Sequence, residues 1–527
     1  MSRDFQLPGR SPVIACEGMA ATSHPLASLA AIETLRADGN AADAAVAAVA
    51  VLCVIEPHMT GIGGDCFAMI DVPGRPVWGY NGSGRSAARA SVQALRAQGM
   101  RSIALDSIHA VTVPGAIDAW AAILAAHGRF GLDRALAPAI RYAADGFPVA
   151  PRVAWDWSRL VDKLRADPGA TRHYLFDGHA PNEGDVIKLP ALARTLVTIA
   201  AKGPRAFYEG PIAEEMAATV AARGSFLTVE DFAQHRGDVV APITSSYRGL
   251  DVLELPPNGQ GLTALVLLNI LERFDLAALD PLGAEPFHIM LEAARLAYAV
   301  RDTHIADPAH MRTAVSALID KSFAATLAAR IDRARRVPLP TAPTPGSNTV
   351  YLTVVDRDRM AVSLINTLFS NFGVGICTER SGIMLTNRGA CFVLDPGHPN
   401  CFGPRKRPLH TVIPGLAYRD GRCELAFGVM GAHYQPMGHV QLVSNVVDYG
   451  MDVQAAIDAP RAFFGGEQTL VERGLPRASI EGLIARGHDV VVAALPWGGA
   501  QAIRIDAARG VLIGGSDPRK DGCALGY

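Results

Sequence analysis

Residues 24–55 read as two helices: a polar-flanked one through Leu35 that stops near Gly39-Asn40, and an Ala-rich one that ends before Pro57. Around 59–80 the pattern turns strand-like, with "CFAMIDV" and "VWGYN" on either side of the turn Pro73-Gly74. A long section from about 86 to 235 is helical in tone, because "GAIDAWAAILAAHGR" and "ALAPAIRYAADG" space their apolar residues by three and four. Strand signals return at "ITSSYRG" and "LDVLELPP", and helices follow at 260–302 and 314–334. Residues 335–348 form a Pro/Gly/Thr/Ser-rich connector with neither period. The pattern then changes abruptly. "TVYLTVVD" and "MAVSLINT" flank Asp356-Arg357-Asp358-Arg359 and predict a β-hairpin whose first strand opens on Thr349. Short strands and Gly/Pro turns are expected to 430, then helices at about 436–450 and 453–459, then closing strands. Helices and strands in alternating blocks, rather than regular βαβ units, predict an α+β layered body.

Composition narrows this picture. The 527 residues are 49% hydrophobic and 19% charged, with a net charge of −2, the balance of a globular protein with a large core. Nothing in that charge calls for nucleic acid or an anionic membrane, and Arg405-Lys406-Arg407 between prolines reads as a turn. The first residues carry Asp4, Pro8 and Pro12 and no apolar core of a secretory signal. The most apolar early stretch, Ala41 to Ile55, is short for a membrane span and interrupted by Asp43, so it reads as a buried helix. Eight scattered cysteines without a C-x-x-C pair suggest reduced thiols and a cytoplasmic location.

Several motifs carry chemistry only weakly. Gly82-Ser83-Gly84-Arg85-Ser86-Ala87 fits a dinucleotide fingerprint, but no regular βαβ unit or following acidic residue supports it. "MTGIGGDCF" at 59–67 could line an anion site with its amides, or simply pack a helix end onto a strand. His433 and His439, six apart, read as packing or backbone-bonded residues rather than zinc ligands. No cofactor and no metal is called for.

Thr349 has two readings. It can be an ordinary strand-initiating threonine. Alternatively, cleavage of the Asn348–Thr349 bond would create an α-amino group, reference pKa about 7.7–8.0, positioned to take the proton of the Thr349 hydroxyl. A flexible approach on one side and a strand on the other suit such a cut.

The chain resembles the gamma-glutamyltranspeptidase family of N-terminal-nucleophile hydrolases. The matching segments run in order: "SHPLASLAAIETLRADGNAADAAVA", "GIGGDCF", "NGSGRSA", "YRGLDVLELPPNGQG", "NTVYLTVVDRDRMAVSLINTLFSNFGVGI", "PRKRPLHTVIPGL", "MGAHYQPMGHV" and "GGSDPRKDGCALGY". The resemblance implies a four-layer αββα sandwich, made as one precursor that cuts itself into fragments 1–348 and 349–527. The fragments stay together, and a dimer of such heterodimers is left open. It makes Thr349 the nucleophile, Thr367 the threonine that orients it, and Gly431 and Ala432 the source of oxyanion-holding amides. Arg85 would grip the substrate's carboxylate.

The same comparison exposes departures. The positions that hold the glutamyl α-ammonium in the family are Arg388 and Cys391 here, the paired hydroxyl positions are His410 and Thr411, and Phe369 stands where an Asn is expected. Asn371 in the same loop is a further expected substrate contact. Losing the family's acid, at Cys391, removes an attraction for the ammonium, and the nearby Arg388 adds a repulsion, one charge pair at about 4 Å and an effective dielectric of about 20 being worth roughly 4 kcal/mol. The expected substrate is therefore a small amide bearing a carboxylate and no ammonium, of the oxamate type that one branch of the family hydrolyses. Hydrolysis or transfer of γ-glutamyl amides, as in glutathione, is the alternative. A non-catalytic binding protein that is never processed is another.

Overall fold

The hairpin that follows the connector lies at the centre of the molecule. A computed structural model describes residues 6, 9–338 and 348–527; most of the connector, 339–347, lies outside the described residues. Strands Val350–Val355 and Ala361–Thr367 pair in antiparallel register from Val350 opposite Asn366 to Val355 opposite Ala361. Met19–Thr22 flanks the first and Asp65–Asp71 the second. Cys523–Gly526 closes one edge, and Trp78–Gly82 with Asp238–Val240 the other, giving seven antiparallel strands. Segments from both sides of the Asn348–Thr349 bond thus interleave in one sheet.

A second seven-stranded antiparallel sheet runs Val13–Ala15, Val511–Ser516, Gly499–Asp506, Arg422–Met430, Gly415–Arg419, Leu250–Glu254 and Ile243–Tyr247. Between the sheets lies an apolar layer that includes Phe67, Met69, Tyr351, Ile365, Leu416 and Ile503. Helices Pro25–Arg36, Ala41–Ile55 and Ala116–His127 cover the outer face of the first sheet, and Gly261–Leu271, Ala284–His304 and Gln435–Val447 cover the second. The result is an αββα sandwich. Both faces of the central hairpin are covered, so all residues of its strands are buried. That accounts for apolar runs where a half-exposed strand would alternate.

The Ala41–Ile55 helix is buried along its whole length. Its polar residue Asp43 completes a capping box with Asn40 and also accepts from the backbone N–H groups of Arg129 (3.0 Å) and Phe130 (2.9 Å). A buried carboxylate is tolerable because it satisfies three backbone donors. No helix among the described residues is long and apolar enough to cross a membrane, and the eight cysteines are free thiols.

Two expectations need correction. Residues 368–414 form no strand among the described residues; they contain a single helical turn, Arg388–Cys391, and isolated bridges. Their backbone groups bond instead to a remote loop, as in Thr386 N–H to Gly63 O at 3.0 Å, or within the segment, as in Val374 N–H to Leu385 O at 3.0 Å. A long irregular segment is thereby held against the end of the hairpin. The closing section also holds a helix, Arg477–Ala485, beside a small sheet of Ala462–Gly465, Gln468–Val471 and Val490–Val492. Both glycine-rich turns serve packing. A Cβ on Gly64 would stand 2.0 Å from the Thr367 carbonyl oxygen, and one on Gly84 1.6 Å from that of Val113. Gly84 is thus accounted for by close approach of two chain segments rather than by a dinucleotide.

Candidate active site

Thr349 enters the hairpin fully buried, with φ of 94°. A β-branched residue in that region costs on the order of 1–3 kcal/mol. Its Oγ lies 2.9 Å from the Oγ of Thr367, at the end of the partner strand. Thr367 Oγ accepts the N–H of Phe369 at 2.7 Å. That leaves the Thr367 hydroxyl its proton and one lone pair, so in its contact with Thr349 either oxygen can donate. On the other side of the peptide bond, the Gly431 N–H donates to the Asn348 carbonyl at 3.2 Å. Gly431 sits just past the Arg422–Met430 strand at φ 129°, followed by Ala432 at φ 51°. Only glycine adopts the first of these readily, and the turn aims its amide at Asn348. A hydroxyl and a carbonyl-polarising amide therefore meet at one bond.

Arg388 lies beside them, fully buried, with its guanidinium carbon 4.0 Å from the centre of the Phe369 ring. Its Nη1 donates to Thr411 Oγ at 2.9 Å and to Cys391 Sγ at 3.8 Å. Nε and Nη2 are buried without a partner, and no carboxylate bonds to this guanidinium among the described residues. Burial pushes the Arg388 guanidinium below its ordinary value and the Cys391 thiol above its own, with Arg388 opposing the latter. The acid nearest in character, Asp65, is engaged elsewhere: one oxygen takes the Gly84 N–H at 2.9 Å and the other His410 Nε2 at 3.0 Å. His410 Nδ1 accepts from the Val412 N–H, so both of its nitrogens are used inside the protein. Burial, with Arg388 next, pushes its pKa down to about 4. His410 therefore braces the site instead of facing it.

Asn371 holds Lys163 through its backbone carbonyl, 2.6 Å from Nζ. Together with Asn348 it borders a cleft of about 510 Å³ walled by Trp155, Leu160, Leu495 and Trp497, with Arg159 among its lining residues. Arg85 does not join the group. It pairs with Asp238 at 3.3 Å, a carboxylate it shares with Arg407, and lines a separate cleft of about 290 Å³ with His235 and Arg236. Arg85, expected to grip the substrate's carboxylate, lies here against the carboxylate of the neighbouring edge strand, with its Nη1 buried and unpartnered.

Some site residues escaped the sequence reading. Gln260, inside the quoted "PPNGQG", donates to the carbonyls of Thr411 at 2.7 Å and Ala432 at 2.9 Å, tying the Arg388 support to the Gly431–Ala432 turn. Arg301 donates to Gln260 Oε1 at 2.9 Å and to His433 Nδ1 at 3.1 Å. His439 bonds a buried carboxylate, Glu254, at 2.7 Å, rather than backbone. Adjacency to Ala432 was the available signal for His433; nothing local marks Arg301, which is 132 residues away.

Residues 27–527 match the model of the family described as gamma-glutamyltranspeptidase. A glutathione hydrolase-like YwrD proenzyme of Bacillus subtilis is 38% identical over 525 residues, covering 98% of this chain and 99% of the relative. An oxamate amidohydrolase proenzyme of Klebsiella pneumoniae is 36% identical over 531 residues, with 98% and 99% coverage. The crystal structure of a cephalosporin acylase from Bacillus halodurans superposes with a TM-score of 0.93 at 37% identity, covering 100% of this chain and 99% of that one.

Proposed function

The chain belongs to the gamma-glutamyltranspeptidase family, and from that premise we propose that it is a self-processing amidohydrolase of small carboxylate-bearing mono-amides of the oxamate type. Processing would cut the Asn348–Thr349 bond, leaving fragments 1–348 and 349–527. Thr349 Oγ attacks the Asn348 carbonyl, the C–N bond breaks as the nitrogen takes up the proton, and water hydrolyses the resulting ester. The positive φ of Thr349 favours this direction, because cutting the bond releases the strained backbone. The freed amine then serves as base for the same hydroxyl. Oγ attacks the substrate amide, the Gly431 N–H and that of Ala432 hold the developing oxyanion, and ammonia leaves with the transferred proton. Water releases the acid.

The observation that carries the substrate assignment is Arg388: a buried cation with two unpartnered donors and no bonded carboxylate. A planar donor pair of this kind suits a carboxylate. An α-ammonium would meet Arg388 with Asp65 already committed to His410 and Gly84. A second reading, a larger acyl amide such as an acylase would take, is favoured by the 510 Å³ cleft beside Asn348.

A denaturing gel tests the cut: the wild-type chain should give pieces of 348 and 179 residues, and Thr349→Ala one piece of 527. Ammonia release from oxamate is then compared with hydrolysis of γ-glutamyl-p-nitroanilide and of a bulky N-acyl amide. Higher kcat/KM on either of the latter two would sink the oxamate-type assignment, and a chain that stays whole would sink the enzyme.

A further inference from the structure

His433 directly follows the oxyanion turn, and its ring stands edge-on to Phe369 with centroids 6.3 Å apart. The same Phe369 ring carries the Arg388 guanidinium on its face. The two side chains therefore flank one aromatic surface beside Thr349. The hydrogen-bonding character of His433 is settled by Arg301. A guanidinium only donates, so the contact from Arg301 Nη1 makes His433 Nδ1 an acceptor and leaves the ring proton on Nε2. Arg301 itself is held on several sides. It donates to Gln260 Oε1 at 2.9 Å and to Asp302 at 2.7 Å, and its guanidinium lies 4.4 Å from the centre of the Tyr298 ring. The Tyr298 hydroxyl in turn donates to the His433 carbonyl, so ring and backbone are both anchored. Burial, then Arg301, then Arg388 hold the imidazole pKa well below its ordinary value, so it stays neutral.

We propose that His433 is a second substrate-binding donor, presenting its Nε2–H beside Arg388 to the substrate's carboxylate, with Arg301 as the positioning residue that fixes the tautomer. The assignment rests on the carboxylate-amide reading above and adds to it a residue that reads the anion. A neutral N–H next to a guanidinium accepts a carboxylate without adding a second full charge to a buried site, which would be costly to desolvate when empty.

The test uses the processed wild-type protein and oxalate, an anion with no amide to hydrolyse. Calorimetric binding of oxalate is measured for wild type, His433→Gln and His433→Leu, with intact processing bands as the check on folding. Glutamine keeps a donor near the Nε2 position and should bind within a few-fold of wild type, whereas leucine should weaken binding by about tenfold or more. In 15N spectra of the wild-type imidazoles, His433 should show the Nε2–H tautomer, and Arg301→Met should abolish that fixed tautomer. Unchanged oxalate affinity in His433→Leu, absence of oxalate binding to wild type, or an Nδ1–H tautomer would each overturn the proposal. His433-dependent oxalate binding without oxamate hydrolysis would instead overturn the substrate assignment and leave this one standing.

Discussion

Replacing Arg388 with methionine should make the protein less active and more stable at once. Methionine has similar length and can stay against Phe369, so the change removes charge with little loss of packing. In the resting protein, two buried donors of Arg388 lack partners, a cost of roughly 1–3 kcal/mol each. Against this, the bond to Thr411 Oγ is worth roughly 1.5–3 kcal/mol, and the contact with Phe369 about 1–2 kcal/mol. At the middle of these ranges, the removed cost of about 4 kcal/mol offsets a loss of about 4 kcal/mol, so the donor and contact terms alone roughly cancel. What remains is the desolvation of the guanidinium itself, visible in its depressed pKa, and that tips the change towards a modest gain. Thermal unfolding followed in a Thr349→Ala background, where the chain stays single, should show a midpoint unchanged or raised by a degree or two. The carboxylate-bearing amide should lose about 100-fold or more in kcat/KM, since removing one partner of a desolvated charge pair costs about 3–5 kcal/mol. A neutral analogue with the carboxylate replaced by a methyl group should lose far less. A midpoint lowered by several degrees would mean that the guanidinium is a structural cation. Equal losses on both substrates would mean that the carboxylate is read elsewhere.

Thr367→Val removes the hydroxyl 2.9 Å from Thr349 while keeping the strand; time-course gels should show self-cleavage slowed by about tenfold to 100-fold. Asp43→Ala leaves three backbone N–H groups without their acceptor, of which that of Asn40 is buried, and chemical denaturation should show about 1–3 kcal/mol of lost stability. His410 has its folded pKa lowered from 6.5 to about 4, so its contribution is fully present above pH 6.5 and is lost as pH falls towards about 4. That contribution is worth about 3 kcal/mol, and denaturation midpoints across this window should fall less steeply in His410→Gln than in wild type. Activity of the processed enzyme should rise with pH through about 7–8 as the Thr349 amine loses its proton; a flat profile there would exclude that amine as the base.

Much of the architecture was legible in the order of residues. The two early helices, the break at Asn40, the turn at Pro73-Gly74, the hairpin after the connector and the layered α+β class follow from period, caps and turn chemistry. These act within a few residues, so a single sequence carries them. The irregular 368–414 segment was misread as strands because its backbone bonds close turns within the segment, as in Val374 to Leu385, or reach remote loops such as Gly63, and pair it with no neighbouring strand. Its short apolar runs resemble strands until those partners are known.

The site divides along the same line. The sequence, read with its family resemblance, singled out Thr349, Thr367, Gly431 and Arg388, since each is marked by a local break or by ordered motifs, and the structure sets Thr367 against Thr349 and the Gly431 N–H against the Asn348 carbonyl. Tertiary structure decided where the charges go. Arg85 turns to Asp238, His410 is consumed by Asp65, and Arg301 reaches 132 residues to set the proton on His433. Electrostatic pairing depends on distances of a few ångströms between remote segments, and only the packed sandwich brings those segments together.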